Sequence, residues 1–382
     1  MRNVVLHLPR WLTDANTEDP STPAASSKLR IIYFITGNPG LISYYESFLK
    51  LLAEGSGRDS IVAGASLGGF EIPTQTTTES KLEHELLYPH SFTHKPLYNL
   101  RDQITLTYLR LNSLIANLSD AYPATRDLPV QVVLTGHSVG AYIALEVVRL
   151  HHKSYTSTHQ DFAPFTIPTA IHLTPTILNI AHSPSGRLAT PLLSYTPFLP
   201  NLLQLASSII SSTMPVSWLG RLVSTITGMQ AGSEGLESTV AFLRTVGAVR
   251  QSLELAGWEM KEIGEEQWME EVWGATEGEE VNGIDGVHAG ETVKQIGSET
   301  MATGKGGDAP WTAPKHYFLF AKEDHWVADA TRDAIVKAMG GRAEIVIDEP
   351  EQGAKGLVHA WCLEQNEMVA NIVNGWLAEA LQ

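Results

Sequence analysis

The stretch "VQVVLTGHSVGAYIALEVV", residues 130–148, opens as a run of β-branched residues, turns on two glycines around one serine, and continues with helix formers. An apolar run followed at once by helical periodicity reads as a buried strand feeding directly into a helix. Glycines in such a hinge cost backbone entropy, so Gly136 and Gly140 are read as serving the residue between them, Ser138. The five residues fit G-x-S-x-G in the strand-turn-helix setting that pattern requires. A nucleophile at the tip of a sharp turn needs neighbours with no Cβ to strike the strand or the helix. The helix starting behind it aims its first amides at any oxyanion formed there. The plain alternative is an ordinary βα turn with a serine cap.

Outward from this hinge the chain alternates strand and helix patterns. "IIYFIT" (31–36) is a continuous apolar run closed by "GNPG", and "LISYYESFLKLLAEG" (41–55) has apolar residues at helical spacing with a glycine stop. "SIVAGASL" (60–67) reads as another short buried run, followed by a polar loop over 69–95; residues 97–122 read as an amphipathic helix. Further strands are expected at 169–176, 315–324 and 343–349, and a closing helix at 366–381. This alternation predicts an α/β fold with a mostly parallel central sheet covered by helices on both faces. Residues 177–262 carry no strand pattern and are read as a helical lid, while 263–312 read as an acidic, low-complexity, disordered loop. The sheet domain is then expected in two parts, 1–176 and 313–382.

A serine hydroxyl needs a base, and the base an orienting acid. In this kind of sheet the order along the chain is Ser, acid, His. Asp324 follows the strand "HYFLFA" and His359 follows "EIVIDE", both in loops at the carboxy ends of late strands. Glu323 could substitute for Asp324, whereas Asp329 falls in a helix pattern, Asp348 at a strand end, and His325 directly beside Asp324. His137, inside the hinge, is read as packing beneath the turn. An oxyanion hole would take the amides of Val139 and Asn38, since Pro39 has no N–H to offer.

The bulk numbers narrow the class. The chain has 382 residues, 43% of them hydrophobic, and a net charge of −16, with a mean hydropathy of −0.05. These fit a soluble globular protein with a large core. No basic stripe exists to displace counterions from a phosphate backbone, so nucleic acid is not an expected partner. Much of the negative charge is local: residues 262–308 hold twelve acidic side chains and two lysines. One cysteine, Cys362, excludes an intrachain disulfide and points to a reducing compartment. The N-terminal apolar stretch is broken by His7, Pro9 and Arg10, so no secretory signal is expected, and no apolar window is long enough to span a bilayer. Of the fourteen histidines only the adjacent His151 and His152 are paired, and these are read as solvent-facing. No metal site and no nucleotide loop are expected, and no cofactor.

Five stretches together are more specific than the hinge: "GNPGLISYYESFL" (37–49), "LYNLRDQI" (97–104), "LTGHSVGAYIALEV" (134–147), "LTPTILNIAHSPSGRLATPLL" (173–193) and "LVHAWC" (357–362). They resemble the lipid droplet-associated hydrolase family of α/β-hydrolases over the chain from about residue 31 onward, apart from the acidic loop. The resemblance implies the α/β-hydrolase fold, with Ser138 as nucleophile, Asp324 as acid and His359 as base. It implies a serine ester hydrolase acting on neutral lipid esters, sterol esters or acylglycerols, at lipid droplets in the cytoplasm. The long acidic insert departs from the family pattern just ahead of Asp324. Independently, residues 190–228 hold a single charge, Arg221, and are broken by prolines. Such a segment could embed in a phospholipid monolayer or pack inward over the site. Two other functions stay open: a droplet-surface organising protein with little catalysis, and a soluble small-ester or thioester hydrolase.

Overall fold

The computed structural model describes residues 1–13, 28–55, 60–73, 78–89, 93–156, 164–265, 270–273, 311–339, 342–350 and 355–381. Seven strands form one sheet: β1 (Val4–His7), β2 (Leu29–Ile35), β3 (Ser60–Ala65), β4 (Val130–His137), β5 (Thr166–Leu173), β6 (Lys315–Ala321) and β7 (Ala343–Asp348), in the spatial order β1-β3-β2-β4-β5-β6-β7. Only β1 runs antiparallel, along the edge of β3. The other neighbours are parallel, with Ile32 of β2 level with Val62 on one side and Val133 on the other. Nearly every residue of β2 is buried, which is why "LRIIYFI" is apolar without alternation: a central parallel strand is covered on both faces.

The helices before β5 are α1 (Arg10–Thr13), α2 (Glu46–Glu54), α3 (Thr78–Leu87), α4 (Leu100–Ala121) and α5 (Val139–Thr156). Between β5 and β6 lie α6 (Pro184–Tyr195), α7 (Leu199–Thr213), α8 (Val216–Thr227), α9 (Glu234–Arg244), α10 (Ala248–Glu262) and α11 (Glu270–Trp273). The chain closes with α12 (Asp329–Met339) and α13 (Asn366–Ala380). The hinge glycines are required by contact. A Cβ on Gly136 would stand 2.3 Å from the Gly140 carbonyl oxygen, and one on Gly140 would stand 2.3 Å from that of Ile35. α4 begins with a reciprocal cap, the Asp102 amide donating to Asn99 Oδ1 at 2.8 Å and the Asn99 amide to Asp102 Oδ2 at 3.1 Å.

Two expectations are corrected, and one strand has no counterpart in the sequence reading. The loop expected over 69–95 contains α3, a helix with a weak apolar face; it is held by packing on α4 and by the Arg2–Glu83 ion pair at 3.1 Å. The N-terminal segment supplies β1, a strand too short to show a period. His151 is buried rather than solvent-facing: its Nε2 donates to the Phe165 carbonyl at 2.9 Å and its ring stacks on Phe165. α5 is wrapped on more than one side, so a polar residue inside it need not face water. Of the segment read as an acidic disordered loop, residues 266–269 and 274–310 lie outside the described residues. Within 270–273, the Val272 carbonyl accepts from the buried His316 at 2.9 Å.

The helices between β5 and β6 differ in how they attach. α9 and α10 lie against the sheet domain, Leu255 joining its core, and α7 lies against α10. α8 meets α9 through a separate small cluster of Leu219, Val223, Leu236 and Val240. α6 to α8 leave large apolar side chains in solvent, including Leu188, Leu192, Phe198 and Ile226, with Tyr195 83% and Trp218 65% exposed. Among the described residues no helix is long and apolar enough to cross a membrane.

Candidate active site

Parallel strands bring their carboxyl ends to one edge of the sheet, and the residues singled out in the sequence leave four of them there. Ser138 follows β4, the central strand, in a left-handed backbone conformation with φ of +54°. An L-residue rarely adopts that conformation without a reason. The turn is tied down by the Ser138 amide donating to the Leu173 carbonyl at 3.0 Å. α5 starts at the next residue, Val139, so the positive end of the helix dipole lies beside the serine.

His359 and Asp324 arrive from the loops after β7 and β6. The His359 imidazole is bonded to both partners, Nε2 to Ser138 Oγ at 2.9 Å and Nδ1 to Asp324 Oδ2 at 2.9 Å. The Asp324 side chain is 3% exposed and that of His359 16%. Asp324 Oδ1 accepts the amides of Trp326 at 2.7 Å and Val327 at 3.2 Å, so both carboxylate oxygens are occupied. Burial alone would raise this carboxyl; the hydrogen bond and charge of His359 and the two amides outweigh it and hold it below the ordinary carboxylate value. Glu323, the alternative acid, is exposed. Asp348 orders the histidine loop instead, its Oδ2 accepting the Leu357 amide at 2.6 Å. A hydroxyl bonded to an imidazole that is itself bonded to an ionised carboxylate can pass its proton inward as the oxygen attacks.

His137 does more than pack beneath the turn. Its Nε2 lies 2.8 Å from the His359 carbonyl oxygen, which can only accept, so Nε2 carries the proton. Nδ1 then accepts from the Tyr45 hydroxyl at 2.7 Å, and Tyr45 in turn accepts the Gly37 amide at 3.2 Å. Burial, with His359 close by, lowers His137 to about 3, so the ring stays neutral and keeps this tautomer. Trp361 packs edge-on against His137, Tyr45 and Phe48, fixing the loop two residues beyond His359. The two adjacent tyrosines therefore divide their work. Tyr45 reaches His137, and Tyr44 bonds Thr239 of α9 at 2.9 Å. The sequence carries no signal for either link, because the partners lie 92 and 195 residues away.

Asn38 stands at the carboxyl end of β2, on the same edge. No acceptor is bonded to the Asn38 or Val139 amide among the described residues. That is the condition for two donors kept for an oxygen that becomes charged only during reaction.

A family model described as lipid-droplet associated hydrolase matches residues 28–362. The chain belongs to the lipid-droplet associated hydrolase family. The Gallus gallus lipid droplet-associated hydrolase is 24% identical over 379 residues, covering 95% of this chain and 90% of its own length. The Homo sapiens lipid droplet-associated hydrolase is 29% identical over 172 residues, 43% of each chain. Among solved structures, a peroxisomal α/β-hydrolase of Saccharomyces cerevisiae superposes with a TM-score of 0.51 at 12% identity, over 94% of this chain and 80% of that one. The fold of this family member is thus the α/β-hydrolase fold, and the chain is a hydrolase of that type. The family match runs from the start of β2 through the "LVHAWC" stretch, so it spans Asn38, Ser138, Val139, Asp324 and His359.

Proposed function

We propose that this hydrolase cleaves the ester bonds of neutral lipids, sterol esters or acylglycerols, at the surface of lipid droplets in the cytoplasm. The observation that carries the reading is the continuous hydrogen-bonded chain Ser138–His359–Asp324 at the sheet edge. Ser138 Oγ attacks the ester carbonyl while His359 Nε2 takes its proton. Asp324 holds the imidazole by Nδ1 and stabilises the imidazolium. The oxyanion lies between the Val139 and Asn38 amides. As the tetrahedral intermediate collapses, His359 returns the proton to the departing alcohol and an acyl-enzyme remains. Water, deprotonated by the same histidine, releases the acid.

The substrate class is supported by α6 to α8. Their apolar side chains lie in solvent around one charge, Arg221, over residues 190–228. Exposed apolar surface on this scale marks a surface that meets another apolar phase, and here we read these helices as a lid whose outer side enters the droplet monolayer. The names of the relatives place those proteins at droplets, which agrees. The test is a fluorophosphonate probe on the purified chain, followed by a panel of esters. Labelling at Ser138 and turnover of long-chain neutral esters is the expected result. An unlabelled Ser138 would favour a droplet-organising protein, and turnover confined to short esters or thioesters in the soluble fraction would remove the lipid substrate.

A further inference from the structure

Asn38 brings a backbone amide to the site, yet its side chain is held by a helix more than two hundred residues away in sequence. Ser252 Oγ of α10 donates to Asn38 Oδ1 at 2.8 Å, and Asn38 Nδ2 donates to the Ser252 carbonyl at 2.9 Å and to Glu259 Oε1 at 2.9 Å. Both Nδ2 protons and the amide oxygen are thereby engaged. Ser252 and Glu259 are two helical turns apart, so they share a side of α10. Glu259 is buried, and burial pushes its carboxyl up to about 7. Asn38 is its hydrogen-bond partner. A carboxyl in such a place is costly, and a leucine would pack there without that cost.

α10 is itself anchored by the residue before Ser252. Gln251 makes a reciprocal pair with the Tyr98 backbone, donating to its carbonyl at 2.8 Å and accepting its amide at 2.8 Å. Close behind it Gly69 leaves room, since a Cβ there would stand 2.7 Å from Gln251 Oε1. The "LYNL" stretch before α4 thus seats α10, and α10 seats Asn38. From the sheet side, the Gly37 amide is already tied to Tyr45. The oxyanion loop is clamped from both flanks.

We infer that Ser252 and Glu259 are positioning residues that set the Asn38 amide opposite that of Val139, so that α10 is a fixed part of the catalytic scaffold and not a moving cover. This rests on the proposed serine-hydrolase reading. Oxyanion donors act through placement: losing one costs 10²–10³ in rate, and a displacement of about 1 Å costs about 10².

The experiment uses the full chain and a soluble short-chain p-nitrophenyl ester, so that droplet binding does not enter. Ser252→Ala and Glu259→Leu should each lower kcat by about 10- to 100-fold with KM changed less than about threefold. Glu259→Gln, which keeps the acceptor oxygen, should stay within about threefold of the wild type. Asn38→Ala combined with Glu259→Leu should be no slower than Asn38→Ala alone, because both break one link. Fluorophosphonate labelling of Ser138 should slow in parallel in Ser252→Ala and Glu259→Leu. Additive losses in the double variant, losses confined to KM, or a Glu259→Gln as slow as Glu259→Leu would overturn the inference. Unchanged labelling in Ser252→Ala and Glu259→Leu, with an active wild type, would overturn it alone. A wild type that neither turns over nor labels removes the hydrolase reading beneath it.

Discussion

The sheet edge and the outer helices α6 to α8 invert the usual rule of burial in opposite directions. At the sheet edge, polar and ionisable groups are withdrawn from water: Asp324 and His137 are each held by hydrogen bonds to named partners. On α6 to α8, Tyr195, Phe198, Trp218 and Ile226 stand in water with little beneath them. Most buried polar groups are hydrogen-bonded, and a large exposed apolar surface marks a place where something else covers it in use. In the proposed function the first region serves chemistry and the second a surface. The inner helices α9 and α10 lie between, packed on the core, α9 bonded to Tyr44 and α10 to Asn38.

If that division holds, changes at the sheet edge should alter turnover and leave droplet binding alone. Ser138→Ala has the largest expected effect, a loss of about 10⁶ in kcat, with an unchanged melting temperature and unchanged droplet fractionation. Comparable turnover in this variant would end the assignment of the nucleophile. Asp324→Asn should cost about 10⁴ by removing the charge and mis-setting the imidazole tautomer. Glu323→Gln should be close to wild type, because Glu323 is exposed; the reverse order would move the acid by one residue.

Acid should act through the buried polar groups, with a sign that can be worked out. Burial holds His137 at about 3, His151 and His316 at about 4, and His172 well below 6.5. In the unfolded chain each takes up a proton near its ordinary value, so stability falls as pH drops below about 6.5. Glu259 opposes this, since its value of about 7 in the fold against 4.5 lets the native state keep a proton the unfolded chain has lost. Four groups outweigh one. Between pH 6.5 and 5 the folding equilibrium constant should drop on the order of 10³-fold, measured by urea denaturation. A midpoint that stays still or rises on acidification would show that these histidines are not held neutral.

The smallest effect is expected on the outer helices and is read by partition alone. Leu203 and Ile209 are 40% and 54% exposed. Leu203→Lys with Ile209→Lys should weaken droplet binding by about 10²-fold, from the burial free energy of two partly buried apolar side chains. The melting temperature and the turnover of a soluble ester should not change. Unfolding would mean that the segment packs inward, and unchanged binding would put the surface contact elsewhere.

Sequence alone determined what is encoded within a few residues. The strand-turn-helix around Ser138 is set by Gly136, Gly140 and an abrupt change of period. The continuous apolar runs of β2 and β6 announce strands buried on both faces, and Asp324 and His359 stand out because each follows a strand pattern in the order Ser, acid, His. Exposure of the outer helices was beyond reach, since residues 190–228 read equally as a buried cover or a surface. Only the tertiary structure decided β1 and α3, whose local patterns are too short or too weak and which depend on neighbours for their stability. It also decided the partners of His137 and Asn38, which lie 222 and 214–221 residues away. A hydrogen bond of that span leaves no periodicity behind; it exists because parallel strands return to one edge and a long insertion folds back over it.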